Sequence, residues 1–150
     1  ILRRVAAALP TTARPLHISL EEELHCDYAG DRLSFCPVAI PAHFSGSAEG
    51  EIHWLDPRQL VPPLQIRPWQ VGDRFQPLGL RGTKLVSDIL IDQKRSQWQK
   101  EQAWVIEDSL GIILLSGYRI AHRVALTAAS TRCIQIRRES TAPIGDQGIG

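Results

Sequence analysis

The sequence predicts a strand-dominated α+β domain, a β-sandwich-like fold or partly open barrel with one main helix packed on it. Three observations lead there. Apolar residues alternate in short runs (Ile18, Leu20, Leu24, Cys26 and Tyr28, then Leu33 and Phe35), as half-buried strands require. Turn residues separate those runs. One stretch alone, after Thr83, places apolar side chains at helical spacing, and short strands with a single helix pack as an α+β domain.

The elements follow in order. Residues 1–9 are apolar and basic, end at Pro10, and read as the tail of a helix from a preceding domain. Residues 10–15 read as a linker, so 1–15 are set apart from the domain expected over 16–139. The alternation up to Tyr28, the turn at Ala29, Gly30 and Asp31, and the resumed alternation predict a hairpin. Residues 44–50 (FSGSAEG) read as an exposed loop, Ile52 and Trp54 as the start of a strand, and Asp56-Pro57-Arg58 as a turn. A strand begins at Leu64 and is broken by Pro68 and by Gly72-Asp73. Gly79 and Gly82 suit a tight backbone excursion. Thr83 stands as N-cap of a helix over 84–94, with Leu85, Val86, Ile89 and Leu90 as its apolar stripe and Lys84, Asp88 and Asp92 on its other face. Two strands, 104–106 and 112–115, flank a turn at 108–111, and residues 118–124 suit one helical turn. Cys133, Ile134 and Ile136 form a last strand ending at Arg137 and Arg138, and 140–150 read as a disordered glycine-rich tail.

The apolar fraction of 43% and charged fraction of 22% are those of a soluble globular chain. No apolar run is long enough to span a bilayer and no signal peptide opens the chain, so a cytoplasmic protein without membrane partners is expected. With no methionine and a bulky Ile1 in front, the sequence reads as a piece of a longer protein. Cys26, Cys36 and Cys133 have neither disulfide-scaffold nor zinc-knuckle spacing and read as thiols in a reducing compartment. Cys26 and Cys36 could still meet across the hairpin in an adventitious disulfide.

Net charge is only +1, but it is unevenly distributed. Residues 21–56 carry Glu21, Glu22, Glu23, Asp27, Asp31, Glu49, Glu51 and Asp56 against Arg32 alone. Residues 67–100 carry Arg67, Arg74, Arg81, Lys84, Lys94, Arg95 and Lys100 against Asp73, Asp88 and Asp92, and residues 117–138 hold arginines with no acid. That split implies an acidic and a basic face, and a basic face recruits polyanions by releasing their counterions.

No catalytic constellation is visible. The chain lacks a phosphate loop and a dinucleotide fingerprint, and Ser45-Gly46-Ser47 lacks the flanking strand and helix. His17, His25, His43, His53 and His122 lack metal-ligand spacing, and His25 points away from its neighbour Cys26 on a strand, so no metal site is expected. Asp88 and Asp92 pair better with Lys84 as helix support than with each other as acid and base. The chain therefore reads as a binding module without catalytic residues. Arg67, Arg74, Arg81 and Lys84 are interleaved with Trp69 and Phe75, which serve either stacking or the core. Gly79 and Gly82 would let the backbone approach a partner, and the helix start beside Lys84 would complete a phosphate cradle.

These residues carry a resemblance. Ile66-Arg67-Pro68-Trp69, Gly72-Asp73-Arg74-Phe75, Pro77-Leu78-Gly79-Leu80-Arg81-Gly82-Thr83-Lys84, Val86-Ser87-Asp88, Ile91-Asp92-Gln93-Lys94 and Gly117-Tyr118-Arg119-Ile120 resemble, in order, the C-terminal domain of bacterial tRNA(Ile)-lysidine synthases. The resemblance covers 56–138. It departs at Leu85, where many members carry a second lysine, and at Arg95-Ser96-Gln97-Trp98, where many read Ile-Pro and then an arginine. It implies a parent ligase that uses ATP, with Mg, to activate the wobble cytidine of tRNA(Ile) and then attaches lysine. It places that chemistry in an N-terminal domain and leaves no cofactor in this part. It also implies a sandwich-like fold, shared with the phenylalanyl-tRNA synthetase β chain, that holds the tRNA near its acceptor stem. Arg67, Arg74, Arg81, Lys84, Lys94 and Arg119 are the expected RNA contacts, with Gly79 and Gly82 as close-approach glycines. The expected partners are tRNA(Ile) and the parent's own N-terminal domain. The competing expectation is a protein-interaction or homodimerisation module using the hairpin edge or the Glu21–Glu23 face, and a third is a small-ligand site under the glycine turn.

Overall fold

The structure, a computed structural model, describes residues 12–42 and 52–140. Ten strands, two short α-helices and two 3-10 turns form it: β1 (Arg14–Leu16), β2 (Leu24–Tyr28), β3 (Asp31–Val38), β4 (Ile52–Leu55), a 3-10 turn (Pro57–Gln59), β5 (Leu64–Pro68), β6 (Arg74–Phe75), β7 (Lys84–Leu85), α1 (Val86–Asp92), α2 (Gln97–Gln102), β8 (Trp104–Asp108), β9 (Gly111–Leu115), a second 3-10 turn (His122–Val124) and β10 (Cys133–Ser140). One four-stranded sheet has the order β1-β5-β8-β9, a second β2-β3-β10-β4, and β6-β7 is a separate ribbon. This is the strand-dominated architecture that the alternation predicts.

The hairpin forms where expected, with Ala29 (φ 49°) and Gly30 (φ 83°) both left-handed as a tight hairpin loop requires. Its register pairs Leu24 with Phe35 and Cys26 with Leu33, and cross-strand partners share a face. Leu33 and Phe35 therefore turn inward and are buried. The same parity sends Cys36 to the opposite face from Cys26, so the two thiols cannot form the envisaged disulfide, and both are free.

One core joins both sheets to α1: Leu33, Phe35 and Ile136 from one sheet, Ile66, Trp104 and Leu114 from the other, and Val86, Ile89 and Leu90 from the helix. Each of those helix side chains contributes roughly 1.5–3 kcal/mol on burial. Polar ties bridge the sheets. Trp104 Nε1 of the first sheet donates to Asp31 Oδ2 of the second (2.8 Å), and within that second sheet Arg138 Nη1 holds Asp31 Oδ1 (3.1 Å). Arg14 of β1 lies over the Tyr28 ring (5.4 Å) and donates to the Asp27 carbonyl.

Four features differ from expectation. β1 starts inside the stretch read as linker, because Arg14, Pro15 and Leu16 pair with Ile66, Gln65 and Leu64 at a sheet edge, where a proline is tolerated. The main helix starts at Val86 rather than Lys84, because Lys84 and Leu85 are claimed by long-range pairing with Phe75 and Arg74. Thr83 is accordingly no N-cap; its Oγ1 accepts from Arg74 Nε (3.3 Å). A second helix, α2, buries none of its residues and is held by a capping box in which Ser96 Oγ accepts from Gln99 N and Gln99 Oε1 from Ser96 N. The stretches 1–9 and 44–50, read as helix tail and loop, lie outside the described residues, as does the tail read over 140–150 except for Ser140, which pairs with Asp31 at the end of β10.

Candidate nucleic-acid interface

The residues singled out from the sequence separate into three environments. Arg67, on β5, is internal. Its Nη1 and Nη2 donate to Asp73 Oδ2 and Oδ1 (both 3.0 Å), and Nη2 also to Glu107 Oε1 (3.1 Å). Its side chain is only 13% exposed, as is that of Asp73. Glu107 Oε2 takes a further bond from Gln65 Nε2 (2.6 Å), and Asp73 Oδ2 one from Gln70 N (2.7 Å). The bonds to Asp73, outweighing burial, and then those to Glu107 push Arg67 above the ordinary arginine value. Burial raises the Glu107 carboxyl, but its bonds from Arg67 and Gln65 outweigh that and hold it below the ordinary range. Arg67 thus closes the 68–73 turn onto the sheet.

The second environment is the loop 76–83 and what it leans on. The loop is pinned to the segment 118–122: Leu78 N donates to Ile120 O (3.0 Å), His122 N to Gln76 O (2.8 Å), and Pro77 bridges Ala121. Inside the loop Gln76 Nε2 holds Leu80 O (2.9 Å), and Gly79 at φ 86° turns the chain where an L side chain would be strained. This brings Arg119 against the loop. Arg119 Nη1 donates to Leu78 O (3.1 Å), its guanidinium stacks on Tyr118 at 5.1 Å, and an added Cβ on Gly79 would meet it at 4.0 Å. Lys84 pairs through Nζ with Asp92 Oδ2 (2.7 Å) rather than bonding Asp88, and that bond raises it above the ordinary lysine value. That pair is exposed, 37% and 61% by side chain, and a pair so open to water gives way readily to another anion. Arg81 sits exposed in the loop, and no hydrogen bond or ion pair holds it among the described residues.

Arg74 and Lys94 stand apart. In the β6-β7 ribbon Arg74 is opposite Leu85 and Phe75 opposite Lys84, so Arg74 and Lys84 leave opposite faces. Lys94 follows the far end of α1 at φ 55°, closing the helix with Arg95 N on Leu90 O (3.3 Å) and its own N on Ile91 O (2.8 Å). The helix start is no open cradle, because Val86 N already donates to Asp73 O (2.9 Å). Phe75 is buried, and Trp69, packed on the core, donates from Nε1 to Lys100 O (2.8 Å), so both aromatics serve the core. Sequence reading missed Tyr118, the ring under Arg119, and Arg95, whose guanidinium sits largely buried beside Gly117. A departure from the family pattern at Arg95 was the only signal for the latter. Among the described residues no group of three or more His, Cys, Asp and Glu is placed to hold a metal, and no helix is long and apolar enough to cross a membrane.

No family model matches the chain. The fold superposes on the crystal structure of a TilS C-terminal domain with a TM-score of 0.69 at 20% identity, covering 88% of this chain and 100% of that one. By sequence, the tRNA(Ile)-lysidine synthase of Parabacteroides distasonis is 30% identical over 115 residues, 77% of this chain and 26% of that protein. The tRNA(Ile)-lysidine synthase of Bacteroides thetaiotaomicron is 37% identical over 86 residues, 57% of this chain and 20% of that protein. The chain belongs to the C-terminal domain of the tRNA(Ile)-lysidine synthase family. It spans about a fifth to a quarter of the length of these two relatives. Within that family domain, Arg67 is a framework residue, the loop 76–83 holds Arg119 through Leu78 O and carries exposed Arg81, and Lys84 follows the loop in sequence.

Proposed function

We propose that this chain is the tRNA-holding part of a tRNA(Ile)-lysidine synthase, gripping tRNA(Ile) on its acceptor-stem side while the parent's N-terminal domain attaches lysine to the wobble cytidine. The observation that supports this reading is the pinned loop 76–83, which carries exposed Arg81, holds Arg119 through Leu78 O and runs directly into Lys84. An A-form stem hides its bases in a deep groove and is recognised by shape, phosphates and 2′-hydroxyls, a task for cations on a rigid scaffold. Arg74, on the other face of the ribbon, and Lys94, at the far end of α1, are further candidate contacts away from that loop, and Arg67 holds the preceding turn in place. The sequence carries no phosphate-loop motif, and the first amide of α1 is already bonded to Asp73 O, which supports placing ATP, Mg and lysine elsewhere. We assign them to the rest of the parent enzyme, working in the cytoplasm.

The test is binding of an isoleucine tRNA at several salt concentrations, with the chain alone and within its parent. An Arg81→Ala/Lys84→Ala double variant is expected to lower the slope of log affinity against log salt by roughly 1.4–1.8, the loss of two phosphate contacts. Salt-insensitive or absent binding by both forms, with dimers in light scattering, would replace this reading with a protein-interaction module.

A further inference from the structure

Arg95 is a largely buried cation that bonds no carboxylate among the described residues. Its Nε donates to Gln93 Oε1 and its Nη2 to Ser116 O, both at 2.6 Å, and both acceptors are neutral. Its Nη1 meets no acceptor among the described residues. The guanidinium lies so close on Gly117 that a Cβ there would stand 2.9 Å from Nη2. Arg67, Arg123 and Arg138 each hold a carboxylate; Arg95 holds none. The acid in its electrostatic range is Asp31, which spends Oδ1 on Arg138 and Oδ2 on Trp104 Nε1. Both oxygens of that carboxylate are thus taken, Arg95 lies in a largely desolvated corner, and exposed Lys94 precedes it directly. Burial, then repulsion from Arg138, pulls Arg95 down to about 10. A desolvated charge without a counter-charge is costly unless an anion completes it. The planar guanidinium, with one edge left open, suits a phosphate oxygen.

We propose that Arg95, with Lys94 beside it, forms a phosphate-binding site where α1 ends, and that RNA backbone phosphate fills it. The RNA reading above supplies the source of the phosphate, while the site itself stands on the charge imbalance.

Two arms on the full 150-residue chain test this. In the first, inorganic phosphate replaces chloride at matched ionic strength and pH, and thermal unfolding is followed. Wild type is expected to melt about 3 °C higher in phosphate. Arg95→Met should lose that shift and Arg95→Lys keep part of it, and comparing each variant with itself in chloride removes any effect on folding. In the second arm, Arg95→Met should lower the salt slope of tRNA binding by roughly 0.7–0.9. Loss of the phosphate shift with an unchanged slope keeps the site and assigns it to free phosphate. If wild type binds no tRNA while the phosphate shift still depends on Arg95, the RNA-holding reading fails and the site survives. An Arg95→Met variant that matches wild type in both arms, or a wild type indifferent to phosphate with an unaffected slope, overturns the site.

Discussion

Replacing Arg67 separates a framework cation from an RNA contact. Its guanidinium bonds both oxygens of Asp73 and one of Glu107, with side-chain exposures of 13%, 13% and 24%. Truncation to alanine strands two largely buried carboxylates and frees the turn they close. Breaking a buried pair costs about 3–5 kcal/mol, and the partial exposure of Glu107 argues for the lower end, about 3 kcal/mol. For a domain of this size that is a fall in melting temperature of about 10–15 °C. Arg67→Lys keeps the charge but not the bidentate fork, and should lose about half as much. The acid side adds a signature. Glu107 is held below its ordinary value, so its contribution is present above the usual glutamate range and disappears as pH falls through its lowered pKa. Arg67→Ala has already lost it, so its stability should fall less steeply than that of wild type below about pH 4.5. The assay is urea unfolding between pH 3 and 7, paired with tRNA binding by Arg67→Lys at a temperature where it is fully folded. A cost under about 0.5 kcal/mol for Arg67→Ala, or a salt slope in Arg67→Lys lowered by a full phosphate contact, would refute the reasoning.

Three further outcomes follow from local geometry. Lys94 pays for a left-handed backbone at the closure of α1, so Lys94→Gly should stabilise the domain by about 1 kcal/mol in chemical denaturation. Arg123 grips both oxygens of Asp108, whose side chain has 0% exposure, but three backbone amides also serve that carboxylate. Arg123→Ala should therefore cost about 2 kcal/mol, visible as an earlier urea midpoint. Burial raises Asp108, yet Arg123 and those amides hold it below the ordinary range, so this stability is also lost on acidification rather than at alkaline pH. Ser96→Ala removes half of the capping box and should cost about 1 kcal/mol by the same measurement.

Much of the fold is legible in the sequence because strand alternation is a local property. The parity of Leu33 and Phe35, the breaks at Pro68 and Gly72, and the paired strands around residues 108–111 need only a few consecutive residues to read. What escaped depends on distant partners. Lys84 and Leu85 fit a helix as well as a strand, and only Arg74 and Phe75, folded back upon them, decide for the strand. Arg14 and Pro15 look like linker until Gln65 and Ile66 pair with them. The capping box at Ser96 was readable in principle, but polar Gln97, Gln99 and Gln102 supplied no apolar stripe to reveal a helix.

By itself, the sequence determined the fold class, the cationic stretch from Arg67 to Lys94 and, through the order of its motifs, the family. The tertiary structure alone decided which of those cations are available. Arg67 and Arg81 are alike as letters, yet the first is consumed by carboxylates six and forty residues away and the second meets none among the described residues. The reason is that periodicity follows from the backbone's own geometry, whereas a charge is satisfied by whatever the folded chain brings within about 4 Å of it.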